Sequence, residues 1–488
     1  MSSARHYDFA VIGGGSAGYA AARTAHSLGL KTVVIDGSEE LGGLCILRGC
    51  MPSKTLIESA NRNLSARHAE DFGLSAKVGE ADIAAIRKRK RFLIGDFAGY
   101  RQQQLQDGRF DLIRGYASFV NASNDEVQLQ AKGADETLQI SARSVLVASG
   151  SSIQVPPIHG LQETGYWTSD TLLDADHLPE SFIVLGGGAI ALEMAHYLEG
   201  VGRQVTIIQR SKHLLTGMDE DLASTVESAF RSRGMAIHTG TKLQHVEKTS
   251  RGKKVAFELH EDDSTVEVEA AELLVALGRK PALKGLNIEL LNLEVDQSGH
   301  LVTSSTQQTS HPRIFAAGDV SGPLEVVHLA IQQAEIAAKN AAQVINGDSP
   351  AHNMSYRCKL YGVFTEPQVA AVGLSEAEAR EKKIPYISAS YPFNDHGKSM
   401  VMGEVDGFVK LLADPQTGEF LGASVVGPEA TELIHQPAIA LHLRATAEQF
   451  LNAPWYHPTL SEIWSYPAEE IADAVKVQSD QPKNDYKF

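Results

Sequence analysis

Cysteine is scarce in this chain, with three residues among 488. A secreted disulfide framework needs a denser set, so the expected compartment is the cytoplasm, where thiols are kept reduced. Zinc is poorly served too, because no C-x2-C or H-x3-H partner accompanies those cysteines. Long apolar runs are missing: none approaches the roughly 18 residues of a membrane span, and Met1 to Asp8 has neither a basic nor an apolar leader region. No membrane association and no secretory signal are therefore expected. Basic residues are outnumbered by acids, 44 to 60, and the formal net charge of −16 argues against nucleic acid as a partner. The one dense basic run, Arg87-Lys88-Arg89-Lys90-Arg91, is read as a solvated helix face.

What the chain does have is length and apolar content. With 43% hydrophobic and 21% charged residues it reads as globular. Its length exceeds what one core serves, implying about two to four domains.

Two of the three cysteines stand together in Gly42-Gly43-Leu44-Cys45-Ile46-Leu47-Arg48-Gly49-Cys50-Met51-Pro52-Ser53-Lys54. On a helix their sulfurs would lie about one and a third turns apart, close enough that unwinding at Gly49 lets them bond. A staple closing so short a loop gains little chain entropy, so a redox role is the better reading. Spacing alone leaves inert core thiols open. The surroundings favour chemistry: Pro52 suits the first turn of a helix, and Lys54 puts a cation within a turn of Cys50, where it holds a thiolate or a reduced cofactor charged.

Two glycine-rich units organise much of the rest. A strand from Tyr7 to Ile12 runs into Gly13-Gly14-Gly15-Ser16-Ala17-Gly18 and an alanine-rich helix, and the next strand, Lys31 to Ile35, ends at Asp36. In this setting G-x-G-x-x-G brings backbone against a pyrophosphate at a helix N-terminus, and the acid reaches a ribose hydroxyl. The device recurs as the strand Phe182 to Leu185, Gly186-Gly187-Gly188-Ala189-Ile190-Ala191, and the strand Gln204 to Ile208. Asp36 lies 23 residues after Gly13, and Gln209 lies 23 after Gly186. The second unit thus lacks the acid, and Arg210 and Lys212 follow, which suits a 2′-phosphate and favours NADP(H) over NAD(H). Elsewhere Thr55 to about Gln106 reads as helical, Phe110 to Ile140 as short strands, Ser144 to Ala148 as a buried strand, and Gln478 to Phe488 as a disordered tail.

The Gly42 to Lys54 segment closely resembles the redox-active disulfide of the pyridine nucleotide-disulfide oxidoreductases, the family of dihydrolipoamide dehydrogenase, glutathione reductase and mercuric reductase. Similarity recurs in order along nearly the whole chain. The resemblance implies an α/β fold with two Rossmann-like dinucleotide-binding domains, for FAD and NAD(P), plus a C-terminal α+β dimerisation domain. The FAD-binding domain would span 1–152 and 281–348, the NAD(P)-binding domain 153–280, and the dimerisation domain 349–488. FAD would be held by Gly13, Gly15, Gly18, Asp36, Gly43, Lys54, Gly150 and Asp319, and the nicotinamide nucleotide by Gly186, Gly188, Gln209, Arg210 and Gly278. Catalysis would fall to Cys50 on the flavin side, Cys45 on the substrate side, Lys54 paired with Glu193, and His457 oriented by Glu462 within His457-Pro458-Thr459-Leu460-Ser461-Glu462.

A homodimer acting on a small dithiol or disulfide, or on a lipoyl-bearing protein, is the implied assembly. Val326-Val327-His328 resembles the Leu-Ala-His of dihydrolipoamide dehydrogenases, which makes that activity the first reading. Mercuric-reductase-like or glutathione-reductase-like NADPH-dependent reduction is the alternative. Tyr166-Trp167-Thr168-Ser169 resembles the mercuric enzymes, yet no cysteine pair lies near the C-terminus to receive mercury. Arg23 occupies the place of a glutathione-binding arginine, whereas Gln333 replaces its counterpart. Trp455, Tyr456, Trp464 and Tyr466 are expected to crowd the base and line a substrate pocket. A flavin- and nucleotide-binding sensor without turnover would have no need of the cysteine, lysine, glutamate and histidine set.

Overall fold

The computed structural model describes residues 4–480. Near-continuous apolar runs rich in valine and isoleucine form strands buried on both faces, as parallel sheets require. The strand Arg5–Ile12 lies parallel between Thr32–Asp36 and Thr137–Val147 at the centre of a seven-stranded sheet. Asp111–Arg114 continues the sheet beyond Thr32–Asp36, and Ile314–Ala316 returns from far along the chain to pair with Thr137–Val147. That last strand is continuous, where the sequence reading separated it at Ser144. Its first half pairs antiparallel with Val127–Lys132, and its second half completes the parallel core. Helices Ser16–Ser27 and Val327–Asn346 pack on this sheet through alanines, whose small side chains let the two axes approach closely.

The second glycine unit builds a five-stranded parallel sheet in the order Ala236–His238, Gln204–Ile208, Ser181–Leu185, Glu272–Val275, Trp167–Thr168, with a three-stranded antiparallel sheet beside it. The chain enters and leaves this unit through Ser151–Ile153 and Arg279–Pro281, which pair with each other. A five-stranded antiparallel sheet closes the fold, in the order Leu360–Val363, Gln368–Gly373, Phe420–Gly427, Phe408–Ala413, Ile387–Pro392. The molecule is therefore α/β with two Rossmann-type units and a C-terminal antiparallel unit. Among the described residues no helix is long and apolar enough to cross a membrane.

Several local expectations need correction. The span from Thr55 to Gln106 is two helices, Cys50–Arg67 and Ile83–Gln106, with a 3-10 turn at Ala69–Phe72 ended by Gly73 at φ +71°. The basic run is not simply solvated. Lys90 is buried and donates to Asp174 at 2.9 Å, Arg91 donates to the same carboxylate at 2.7 Å, and Arg87 reaches Asp176 at 3.3 Å. Acids on the next unit turn these cations into a seam. The final helix, Ser465–Asp480, runs into the stretch read as a tail, while residues 481–488 lie outside the described residues.

Candidate active site

The two glycine units share the same backbone constraint at corresponding positions. Gly13 takes φ +102°, and a side chain there would meet the Ala148 carbonyl oxygen at 2.4 Å; Gly186 takes φ +121° and would meet that of Ala276 at 2.3 Å. Both positions exclude any residue but glycine. A Cβ on Gly18 would lie 1.8 Å from Gly13 O, whereas Ala191 occupies the matching place in the second unit. Helices Ser16–Ser27 and Ala189–Gly200 begin at Gly15 and Gly188 with no side-chain cap, so their first N–H groups are free for an anion. Counting from the glycines locates equivalent residues. A Cβ on Gly14 would touch Asp36 Oδ2 at 2.8 Å, and one on Gly187 would touch Gln209 Cγ at 2.9 Å. The Gly14 N–H donates to Asp36 at 2.7 Å, but Gln209 turns its amide to Thr216 Oγ1 at 3.2 Å. Arg210 and Lys212 beside it are exposed, and neither forms an ion pair among the described residues.

Residues around the first unit fit a flavin dinucleotide. Gly43, at φ +77°, passes so close to Gly15 that a Cβ would stand 2.5 Å from its Cα, leaving a cradle lined by backbone alone. Ser149 Oγ is buried without a partner at the mouth of the Ser149-Gly150-Ser151 turn, where Gly150 takes φ +71°. Ser151 Oγ donates to Asp319 at 2.5 Å and accepts from Arg279 Nε at 2.8 Å. Gly278, at φ +106°, lies next to that arginine on the return from the second unit.

The cysteines follow directly. Cys45 sits on the single helical turn Leu44–Leu47, and Cys50 opens the helix Cys50–Arg67. Gly49 breaks the helix between them, where a Cβ would come within 3.2 Å of Cys45 Cα. The neighbouring Cys45 thiol, with Lys54 nearby, holds the Cys50 thiol down at about 7 against burial. The closeness of Cys50 and burial push the Cys45 thiol up. Both directions favour the thiolate at Cys50, as does the helix N-terminus that Cys50 opens. Lys54 Nζ donates to both carboxylate oxygens of buried Glu193, at 2.9 and 2.8 Å, and lies 4.5 Å from the Phe364 ring centre. The Phe364 N–H adds a third bond to Glu193 at 3.2 Å. Phe364 carries no motif of its own, and only the packing identifies it.

His457 and Glu462 are brought together in the C-terminal unit. Nδ1 faces both carboxylate oxygens, at 2.9 and 3.0 Å, leaving Nε2 outward. The His457 side chain is 74% exposed and the Glu462 side chain 8%. Among the described residues no hydrogen bond joins His457 to Cys45 or Cys50. The expected aromatic pocket is corrected: Trp464 is fully buried, with Nε1 donating to Leu433 O at 3.0 Å, and Trp455 packs on Phe450 at 4.8 Å. Tyr466 stacks on Tyr391 at 4.1 Å, so Tyr456 alone of the four stands free. Gln333 is buried too, accepting from Gly318 N and donating to Gly322 O and Tyr356. Arg23 is tied to Glu335 at 2.8 Å. His328 is half-buried, and burial pushes its pKa down. Cys358 lies in a turn and packs on the C-terminal core, as a small apolar residue would.

Comparison with known proteins agrees with this architecture. Residues 7–334 match the pyridine nucleotide-disulphide oxidoreductase family, and residues 361–468 match the dimerisation domain of the same family. A dihydrolipoyl dehydrogenase of Bacillus subtilis is 32% identical over 466 residues, covering 94% of this chain and 96% of that protein. A mercuric reductase of Staphylococcus aureus is 31% identical over 460 residues, covering 93% and 81%. The crystal structure of LpdA from Mycobacterium tuberculosis superposes with a TM-score of 0.84 at 28% identity, covering 95% of this chain and 99% of that one. The chain belongs to the pyridine nucleotide-disulphide oxidoreductases, as a flavoprotein disulfide reductase of the class that holds LpdA and mercuric reductase.

Proposed function

We propose that the protein passes electrons between NAD(P)H and a dithiol or disulfide substrate through Cys45 and Cys50, with an activity most like dihydrolipoamide dehydrogenase. The observation that carries the reading is the cysteine pair on either side of Gly49, at the start of the helix that also bears Lys54, which is paired with buried Glu193. FAD, when bound, accepts hydride from the nicotinamide and delivers two electrons to a disulfide. Gly13, Gly15, Gly18, Asp36, Gly43, Gly150 and Asp319 would hold it in the division given above, with residues 1–152 and 281–348 forming one domain.

The chain's own part is thiol exchange. Once reduced, Cys45 loses its proton to a base, and its thiolate attacks one sulfur of the substrate disulfide. A mixed disulfide forms, and the leaving thiolate takes a proton from the His457 imidazolium, whose charge Glu462 balances. Cys50, already a thiolate near neutral pH, then attacks Cys45 Sγ, expelling the second substrate thiol and restoring the Cys45–Cys50 bond. In the opposite direction the same residues oxidise a dithiol. The dimerisation domain supports a homodimer, and the exposed face of His457 supports its serving the partner subunit's Cys45. A cytoplasmic site suits thiols that must cycle.

A turnover panel tests the substrate. Lipoamide with NAD(P)H and dihydrolipoamide with NAD(P)+ are expected to react, with oxidised glutathione and Hg(II) plus excess thiol poor or inert. His328 and the buried Gln333 support that order, as does the scarcity of cysteine beyond the active pair. Robust glutathione disulfide turnover without lipoamide activity would refute it.

The second glycine unit supports NADP(H). Gln209 brings no charge to the ribose position, and Arg210 and Lys212 beside it form no ion pair among the described residues. A cavity of about 260 Å³ adjoins this unit, lined by Gly188, Met218, Leu324 and Tyr361 among others. NADPH should exceed NADH in kcat/KM by at least about tenfold, the scale of one well-formed charge-assisted contact. Arg210→Ala should erase most of that preference. Equal use of both nucleotides by the unaltered enzyme would reverse the assignment.

A further inference from the structure

Behind the His457–Glu462 pair lies a second histidine that no sequence motif announces. His396 is fully buried between the turn Phe393–Asp395 and the helix Gly397–Met402, within reach of the same Glu462 carboxylate that His457 faces. Its Nδ1 lies 2.8 Å from Ser399 Oγ, and its Nε2 lies 3.6 Å from Glu462 Oε1 with no hydrogen-bond partner. Phe393 and Tyr466 present their rings at steep angles, 76° and 79°, and fix the imidazole plane. The titratable groups facing it are Glu462, His457 beyond it, and Tyr466, whose ring stacks on Tyr391 and so reaches Asp395.

The tautomer follows from these neighbours. Were the proton on Nδ1, the Nε2 lone pair would point at a buried carboxylate. With Ser399 donating to Nδ1, Nε2 carries the proton and offers it to Glu462, which removes the repulsion. Burial pushes the pKa of His396 down, which favours its neutral form. Such a donor lies long at rest and tightens as charge builds on its acceptor.

We propose that His396 is a positioning residue for disulfide turnover, donating Nε2–H to Glu462 so that the carboxylate is shared between two imidazoles. The proposal rests on the reading of His457 as the acid–base group. Removing the donor leaves Glu462 more basic, and a more basic carboxylate holds the His457 proton more tightly. The His457 pKa therefore rises in His396→Leu, by about half to one pH unit for one lost hydrogen bond to a buried anion.

Histidine-labelled holoenzyme followed by NMR reads this without turnover, with the His457 resonance assigned by its loss in His457→Ala. The pKa should rise in His396→Leu and return to the wild-type value in His396→Gln, which keeps a neutral N–H donor. Ser399→Ala, which frees the tautomer, should raise it by less. The turnover pH profile should move in the same direction by the same interval. Should His396→Leu fail to fold, His396→Gln and Ser399→Ala still decide. An unchanged His457 pKa in folded His396→Leu and Ser399→Ala, or a Gln variant that behaves as the Leu variant does, overturns the proposal. Disulfide turnover that survives His457→Ala would instead overturn the reading of His457 while leaving the measured coupling intact.

Discussion

His457→Ala is expected to lose disulfide turnover by about 10²–10⁴-fold, the usual yield of a placed acid–base group, while NAD(P)H still reduces the flavin. Mixing it with Cys45→Ser should bring activity back. The reason is spatial: the His457 imidazole is 74% exposed, while its orienting carboxylate is buried. An imidazole so open is available to a site outside its own chain's fold, as the proposed dimer requires. In a C2 dimer each surface meets its own copy, so two sites would be completed at once, each with a cysteine pair from one subunit and a histidine from the other. In a mixed dimer of the two variants one site carries both lesions and the other neither. After random exchange between equal pools about half the dimers are mixed, and activity should approach about a quarter of wild type. Proven heterodimers without recovery would show that the base works within its own chain.

How much of this was legible in the sequence depended on how local the cause was. The glycine units were readable because their constraint is local: Gly13 and Gly186 are fixed by positive φ and a carbonyl within 2.4 Å, and no other residue type satisfies that. Counting along the repeat found Gln209 because both units share one strand–turn–helix geometry. The break in the helix at Gly49 was also foreseeable from the glycine itself. Features set by distant partners were not. Trp464 sits beside the histidine motif yet serves the core, because its indole N–H finds Leu433 O. Lys90 looked like a surface cation until Asp174, 84 residues away, supplied its partner. The pairing of Lys54 with Glu193, 139 residues apart, was reachable only through family resemblance. His396 left no signal at all, since a lone buried histidine reads as core until its neighbours are known.

Cys45→Ser and Cys50→Ser should each lower disulfide turnover by at least about a thousandfold, as loss of a covalent nucleophile does. Neither change should greatly impair flavin binding, because the glycine cradle and Asp36 are independent of both sulfurs. The two thiols are also distinguishable by pH. With its thiol held near 7, Cys50 in the reduced native enzyme should react faster with iodoacetamide as pH rises through about 7, the thiolate being the reactive form; Cys45, pushed up, should lag across that range. The central claim, that this pair relays electrons to the substrate, is tested most directly by counting thiols. Air-equilibrated holoenzyme and holoenzyme reduced anaerobically with excess NADPH would be alkylated under denaturing conditions and mapped by mass spectrometry. The account predicts label on Cys358 alone before NADPH and on Cys45, Cys50 and Cys358 after it. Full labelling of Cys45 and Cys50 before NADPH, or a pair that NADPH leaves linked, would contradict it.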